Sequence, residues 1–167
     1  MPRRARVSPE KILDAAAIEF AARGFGGARV DRIARRARVN KAMLYYHFHS
    51  KQGLYRALLR RTFALAAERL SAIGAGRGTY AERVDELIRG IADFIRDEQY
   101  FPAIMLREVA ERGAHLDRAT LVTLAAVPQM VGRFIQEGIQ GGAFRPVNPL
   151  FAYFSMVAPI VFYLAAG

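Results

Sequence analysis

The chain has no cysteine among its 167 residues, which removes disulfides, thiolate zinc sites and cysteine-based catalysis together and fits a reducing compartment. The alternation of apolar and polar residues that marks a half-buried strand is missing throughout. The basic residues 1–7 lead into an amphipathic helix and not into an apolar run, so no secretory signal peptide is read and a cytoplasmic location is expected. There is no nucleophile elbow, no His-Glu metal helix and no dinucleotide-binding fingerprint. The glycine-rich residues 74–79 follow a helix and lack a phosphate-loop lysine. An enzyme is therefore not expected, and no cofactor is implied.

Charge is missing in one place, since residues 147–167 carry none. Residues 150–167 are nearly long enough to cross a bilayer. Asn148, Ser155, Pro149 and Pro159 speak against a span, as does the absence of lysines on the C-terminal side. A helix apolar on every face is also what a buried dimer helix looks like.

What is present in excess is positive charge, a net +10 at pH 7. Of the 25 Lys and Arg, 15 fall within residues 1–61 beside only 4 of the 15 acidic residues, so that segment is +11 and the remainder −1. Such an asymmetry points one segment at a polyanion and leaves the rest to another task.

Helical periodicity runs the length of the chain. Ser8 caps a first helix with Pro9 at its first position, Ile12, Leu13, Ala16, Ala17, Phe20 and Ala21 as its apolar stripe, and Gly24 as its stop before Phe25. Val30, Ile33, Ala34 and Ala37 recur at the spacing of a short second helix. Arg38 and Val39 make a tight turn, Asn40 caps, and residues 41–47 form a short third helix with Leu44 and Phe48 inward. Ser50 caps a long fourth helix, and residues 74–79 separate head from body. Thr79 and Glu82 form a capping box for a fifth helix, with Val84, Leu87, Ile88, Ile91, Phe94 and Ile95 inside. A sixth spans about 102–112. Asp117 caps a seventh that carries Leu121, with Pro128 expected to kink or split it near Leu124, and Asn148 and Pro149 open an eighth. The fold class is all-α.

Two short helices joined by a tight turn in a basic segment present a recognition helix to the DNA major groove. With Leu44 and Phe48 inward, Ala42, Tyr45 and Tyr46 fall on the opposite face, with Lys41 and His47 on the flanks. Tyrosine hydroxyls donate to phosphate or base edges, and Ala42 permits close approach. The competing reading packs one tyrosine, Tyr46 before Tyr45, against the first or fourth helix. His47 and His49 have no third ligand nearby in the motif, so no metal is expected. Arg3, Arg4 and Arg6 form a basic arm.

The run Val39-Asn40-Lys41-Ala42-Met43-Leu44-Tyr45-Tyr46-His47-Phe48, continuing through Lys51 to Tyr55, together with Val30-Asp31-Arg32-Ile33-Ala34, closely resembles the TetR family of repressors over about residues 8–60. The resemblance implies an N-terminal three-helix helix-turn-helix headpiece at 1–50, joined by a long fourth helix to a helical ligand-sensing and dimerisation domain at 51–167. By position, Lys41, Ala42, Tyr45 and His47 correspond to groove and phosphate contacts and Lys51 to a backbone contact. Asn40, Tyr46 and Arg38 complete the DNA-binding set. Arg38 stands where the turn usually has Gly, adding a phosphate contact, and Ala28, Arg29 and Val30 stand where the second helix usually opens with Thr or Ser, so an N-cap contact is expected to be missing.

The same resemblance implies a small-molecule cavity among the fifth to eighth helices. Phe94, Tyr100, Phe101, Met105, Met130, Phe134 and Phe162 are the lining candidates, with Arg107, Glu108 and His115 as polar fixers. Glu108 and Glu111 read as solvated, the latter paired with Arg107. The expected function is a ligand-responsive regulator, a homodimer released from double-stranded operator DNA by a small molecule and making no membrane contact. The alternative is a membrane-associated DNA-binding protein anchored by residues 147–167. In the family a further helix completes a four-helix dimer interface, and these residues stop at Gly167 before it, so either more chain follows or the interface is reduced.

Overall fold

The computed structural model describes residues 8–74 and 78–166. Among them are eight helices and no strand: α1 Pro9–Gly27, α2 Val30–Ala37, α3 Lys41–Phe48, α4 Lys51–Gly74, α5 Tyr80–Asp97, α6 Phe101–Ala110, α7 Arg118–Gln140 and α8 Pro149–Ala166. The arm residues Arg3, Arg4 and Arg6 and part of the glycine-rich 74–79 segment lie outside the described residues. Two compact units form, one from residues up to Leu59 with 103–116, the other from 60–102 with 117 onward. Helices α4 and α6 contribute to both.

In the first unit α1 begins as its sequence dictates, with the Ser8 hydroxyl accepting from Glu10 N and Pro9 in the first turn. Gly24, at φ 65°, breaks the helical path, and α1 resumes for a last turn to Gly27. The core beneath α1 to α3 is Ile12, Ala16, Phe20, Ile33, Ala34, Leu44 and Phe48, all buried. Val30, Ile33, Ala34 and Ala37 form the buried stripe of α2, as their spacing predicts.

In the second unit the Thr79–Glu82 capping box is formed in both directions. Leu87, Ile91, Phe94 and Ile95 are its buried stripe, whereas Ile88 is exposed, lying at the edge of a stripe that the sequence made too wide. Leu121 is exposed as well. The Asp117 carboxylate caps α7 by accepting from Thr120 N. Pro128 neither ends nor splits α7, which runs unbroken to Gln140. A proline removes one ladder bond, here to the Leu124 carbonyl, while Val127, Val131, Phe134 and Ile135 keep the helix buried along its inner side.

Helix α8 corrects the anchored alternative. Among the described residues no helix is long and apolar enough to cross a membrane. The 18 residues of α8, at about 1.5 Å each, fall just short of a hydrocarbon core of about 30 Å, and Ser155 and Pro159 dilute their hydropathy. Its residues divide into two faces: Val161 is buried and Tyr153, Met156, Val157, Ile160 and Leu164 are partly so, while Leu150, Phe151, Phe154, Phe162 and Tyr163 are exposed.

Candidate nucleic-acid interface and ligand cavity

The turn between α2 and α3 is fixed by backbone bonds. Val39 N donates to Ala34 O at 2.9 Å and Arg38 N to Arg35 O at 3.1 Å, the paired closure of a Schellman motif. Arg38 occupies its left-handed position at φ 57°, ψ 42°, where the side chain stands exposed. Asn40 then caps α3, its Oδ1 accepting from Met43 N at 2.7 Å. Leu44 and Phe48 are buried, so the rest of this two-turn helix faces away from the core.

The outward face carries Lys41, Ala42, Tyr45 and Tyr46, all exposed, with His47 half-buried on the flank. Tyr46 is 76% and Tyr45 40% accessible. The reading that packed Tyr46 inward is thereby corrected: an inward Tyr46 would need the face that Leu44 and Phe48 already fill. The Tyr46 and His47 rings stand edge to face at 5.2 Å. Lys41 Nζ pairs with Asp31 Oδ1 at 3.0 Å, both side chains about half or more exposed. The hydrogen bond that Lys41 donates to Asp31, with the carboxylate's charge, holds the Lys41 ammonium above its usual value. Lys51 is less free than a bare phosphate ligand: Nζ donates to Gly26 O at 3.2 Å and lies 4.8 Å over the Phe25 ring.

The missing cap of α2 is real and partly replaced. Arg29 makes no side-chain cap. Instead the Glu19 carboxylate, 6% exposed, accepts from Arg29 N at 3.2 Å, placing negative charge at the positive end of α2. The sequence reading also passed over a basic stripe. Arg32, Arg35 and Arg36 recur at helical spacing opposite the buried face of α2. With Arg23, Ile18, Glu19 and Ala22 they line a surface groove of about 540 Å³. Arg36 and Arg38 continue into a second groove of about 390 Å³ with Lys11 and Asp14. The i, i+3, i+4 spacing of the three α2 arginines was the available signal.

Six of the ten candidate ligand residues belong to the second unit. Phe94 and Phe101 line a small, partly open apolar cavity of about 40 Å³ in the second unit, with Phe63, Ala66, Leu70, Ile91, Ile95, Val127, Tyr153 and Val157. Burial pushes the Tyr153 hydroxyl above its ordinary value. Phe134 belongs to a separate aromatic cluster, 5.7 Å from Tyr80 and 5.8 Å from Phe144, with the Arg83 guanidinium 4.6 Å over its ring. Met130 and Tyr100 are half-buried outside the cavity lining, and Phe162 is 62% exposed. The lining residues that went unread are the α4 set Phe63, Ala66 and Leu70 and the α8 pair Tyr153 and Val157, both at helical spacing.

The remaining four candidates belong to the first unit. Met105 is half-buried there. Arg107 Nη2 donates to Ala21 O at 3.4 Å. Glu108, expected to be solvated, is 2% exposed. Its Oε1 accepts from the Tyr55 hydroxyl at 2.8 Å and lies 2.8 Å from His115 Nδ1. Glu111 is engaged with His115 too, at 3.1 Å.

Comparison with known proteins fits this geometry. Residues 12–58 match the family described as bacterial regulatory proteins, tetR family, and residues 81–167 match the tetracyclin repressor-like C-terminal domain. The HTH-type transcriptional repressor NicS of Pseudomonas putida is 26% identical over 156 residues, covering 92% of this chain and 74% of that protein. Among solved structures, the fatty acid degradation regulator FadR from Bacillus halodurans superposes with a TM-score of 0.80 at 16% identity, over 98% of this chain and 85% of that one. AibR, solved in complex with isovaleryl coenzyme A and operator DNA, superposes with a TM-score of 0.76 at 21% identity, over 94% and 85% of the two chains. With both parts of the sequence matched and the helix-turn-helix in place, the chain belongs to the TetR family of DNA-binding transcriptional regulators.

Proposed function

We propose that this chain is a homodimeric repressor of the cytoplasm, released from its operator by a small molecule. The observation that carries the DNA half is α3: Leu44 and Phe48 are buried beneath it while Lys41, Ala42, Tyr45 and Tyr46 stand exposed on its other side. Arg38, Asn40, His47 and Lys51 flank that face, and Asn40 contributes chiefly by capping. Lys41 and Lys51 act on phosphates, exchanging Asp31 and the Gly26 carbonyl for the DNA backbone. Residues 1–50 read the operator, and residues 51–167 sense and dimerise.

The effector half rests on the apolar cavity bounded by Phe63, Phe94, Phe101 and Tyr153. At about 40 Å³ it holds little more than a water, so an effector enters by spreading α4, α5, α7 and α8. An apolar ligand, steered by the Tyr153 hydroxyl as the polar handle, suits such a lining. The repressor named NicS and the AibR complex with an acyl coenzyme A and operator DNA support this class of behaviour.

The test starts from binding sites selected out of a random DNA pool. Tyr45→Ala is expected to weaken the selected site by about 1 to 3 kcal/mol while barely changing random duplex. Lys41→Ala weakens both alike and lowers the salt slope by about 1. Equal affinity of the wild type and both variants for every duplex refutes the assignment.

A further inference from the structure

Outside the DNA face and the apolar cavity, one group of side chains has no role in the function above. We propose that Glu108, Glu111 and His115 form a binding site for a divalent first-row transition-metal ion in the first unit. The three offer ligand atoms that all lie within 4.8 Å of one another. Glu108 stands in the last turn of α6 and Glu111 just past its end. Arg112 and Gly113, at φ 55° and 70°, then reverse the chain, closed by Gly113 N donating to Glu108 O at 2.8 Å. That reversal returns His115 onto the two carboxylates.

Two of the three spacings suit an ion. Ligand atoms about 2.0 to 2.2 Å from a metal are roughly 3 Å apart when they subtend a right angle at it. His115 Nδ1 lies 2.8 Å from Glu108 Oε1 and 3.1 Å from Glu111 Oε2.

A second observation points the same way. Glu108 Oε2 is buried and has no hydrogen-bond partner. A buried carboxylate oxygen left unpaired is costly, and a cation bound to both oxygens removes that cost. The surroundings are those of a metal site. The Tyr55 hydroxyl donates to Glu108 Oε1 at 2.8 Å and orients the carboxylate. Arg56 Nε donates to His115 O at 2.9 Å and fixes the backbone behind the imidazole. The Phe25 ring covers that imidazole at 4.1 Å between centroids. The Glu111 side chain is 44% exposed and that of His115 18%, so the site opens to solvent on the Glu111 side. Two carboxylates and one imidazole select the zinc, manganese and nickel group over soft copper(I). The assignment stands independently of the DNA contacts.

The experiment uses the full chain, stripped with chelator and titrated with Co²⁺ alone, followed by its visible absorption, and with Zn²⁺ alone, followed by calorimetry. One ion per chain is expected. Glu111→Gln, on an exposed side chain that leaves the fold intact, and His115→Gln each weaken it by about tenfold or more, and Tyr55→Phe by about tenfold. His49→Gln leaves binding unchanged. The proposal is overturned if neither ion binds at one per chain, if Glu111→Gln binds as the wild type does, or if binding is lost in His49→Gln instead.

Discussion

Arg38 sets fold and function against each other at one residue. It holds φ 57°, ψ 42° at the end of α2, a left-handed conformation that costs an L-residue about 1 to 2 kcal/mol. Glycine adopts it freely, at an unfolded-state entropy cost of about 0.5 to 1 kcal/mol. Arg38→Gly therefore stabilises the chain by about 0.5 to 1 kcal/mol, raising Tm by roughly 1 to 4 °C for a protein of this size. On the proposed DNA contact, the same change removes one guanidinium from phosphate, so the slope of log affinity against log salt is expected to drop by about 0.9. Thermal unfolding by circular dichroism and fluorescence anisotropy across a salt series read the two effects on one sample. A variant that melts lower, or that binds DNA with the wild-type salt slope, refutes the reasoning.

Gly53 stands in the first turn of α4, where alanine ordinarily gains about 1 kcal/mol. Here a Cβ would collide with the Phe48 carbonyl oxygen and stand 3.3 Å from Ser50 Oγ, and backbone cannot give way as a side chain does. Gly53→Ala is expected to lose about 1 to 2 kcal/mol net in urea unfolding, and a neutral variant would contradict the packing at the α3–α4 junction. Burial first, then the hydrogen bond to Glu108, raises the Tyr55 hydroxyl well above its ordinary 10.0. The folded state thus keeps the proton longer than the unfolded one, so this stability is complete below pH 10 and is lost as pH rises beyond it. Tyr55→Phe flattens the alkaline limb of a stability profile above about pH 10, leaving the share of Tyr153, while costing about 1 to 2 kcal/mol at neutral pH because Glu108 loses a donor. An unchanged alkaline slope sinks the assignment.

The parts of this molecule that read cleanly from sequence are those governed by neighbours in the chain. Ser8, Asn40, Ser50, Thr79 and Asp117 cap helices because a cap needs only a side chain and an N–H two or three residues on. Leu44 and Phe48 sit inward because 3.6 residues per turn leaves a two-turn helix little choice. What failed to read depends on residues far apart. Glu108 looked solvated beside Arg107 and Glu111, and only the return of Tyr55 and His115 from elsewhere in the chain buries it. Glu19 stands in for the absent cap of α2 from ten residues upstream, which no local rule announces. The cavity candidates scattered for the same reason, since an aromatic stripe says that a residue is inside without saying which neighbours it meets.

Helix α8 carries the last expectation. Phe151, Phe154 and Phe162 lie on one side of it, 68%, 55% and 62% exposed, with Leu150 and Tyr163 beside them. Tyr153, Met156, Val157, Ile160 and Val161 occupy the other side and turn inward. Among the described residues nothing covers this outer face, and in the proposed homodimer a second copy with the same exposed row covers it. A two-fold interface uses each side chain twice. Burying one phenylalanine stabilises by about 1.5 to 3 kcal/mol, so Phe151→Ala weakens the dimer by about 3 to 6 kcal/mol, a factor of roughly 10² to 10⁴ in dissociation constant. Sedimentation velocity over a dilution series reads that factor directly, with circular dichroism as the check that each protomer stays folded. A Phe151→Ala chain that dissociates at the wild-type concentration places the dimer contact elsewhere and leaves the outer face of α8 without the partner its composition demands.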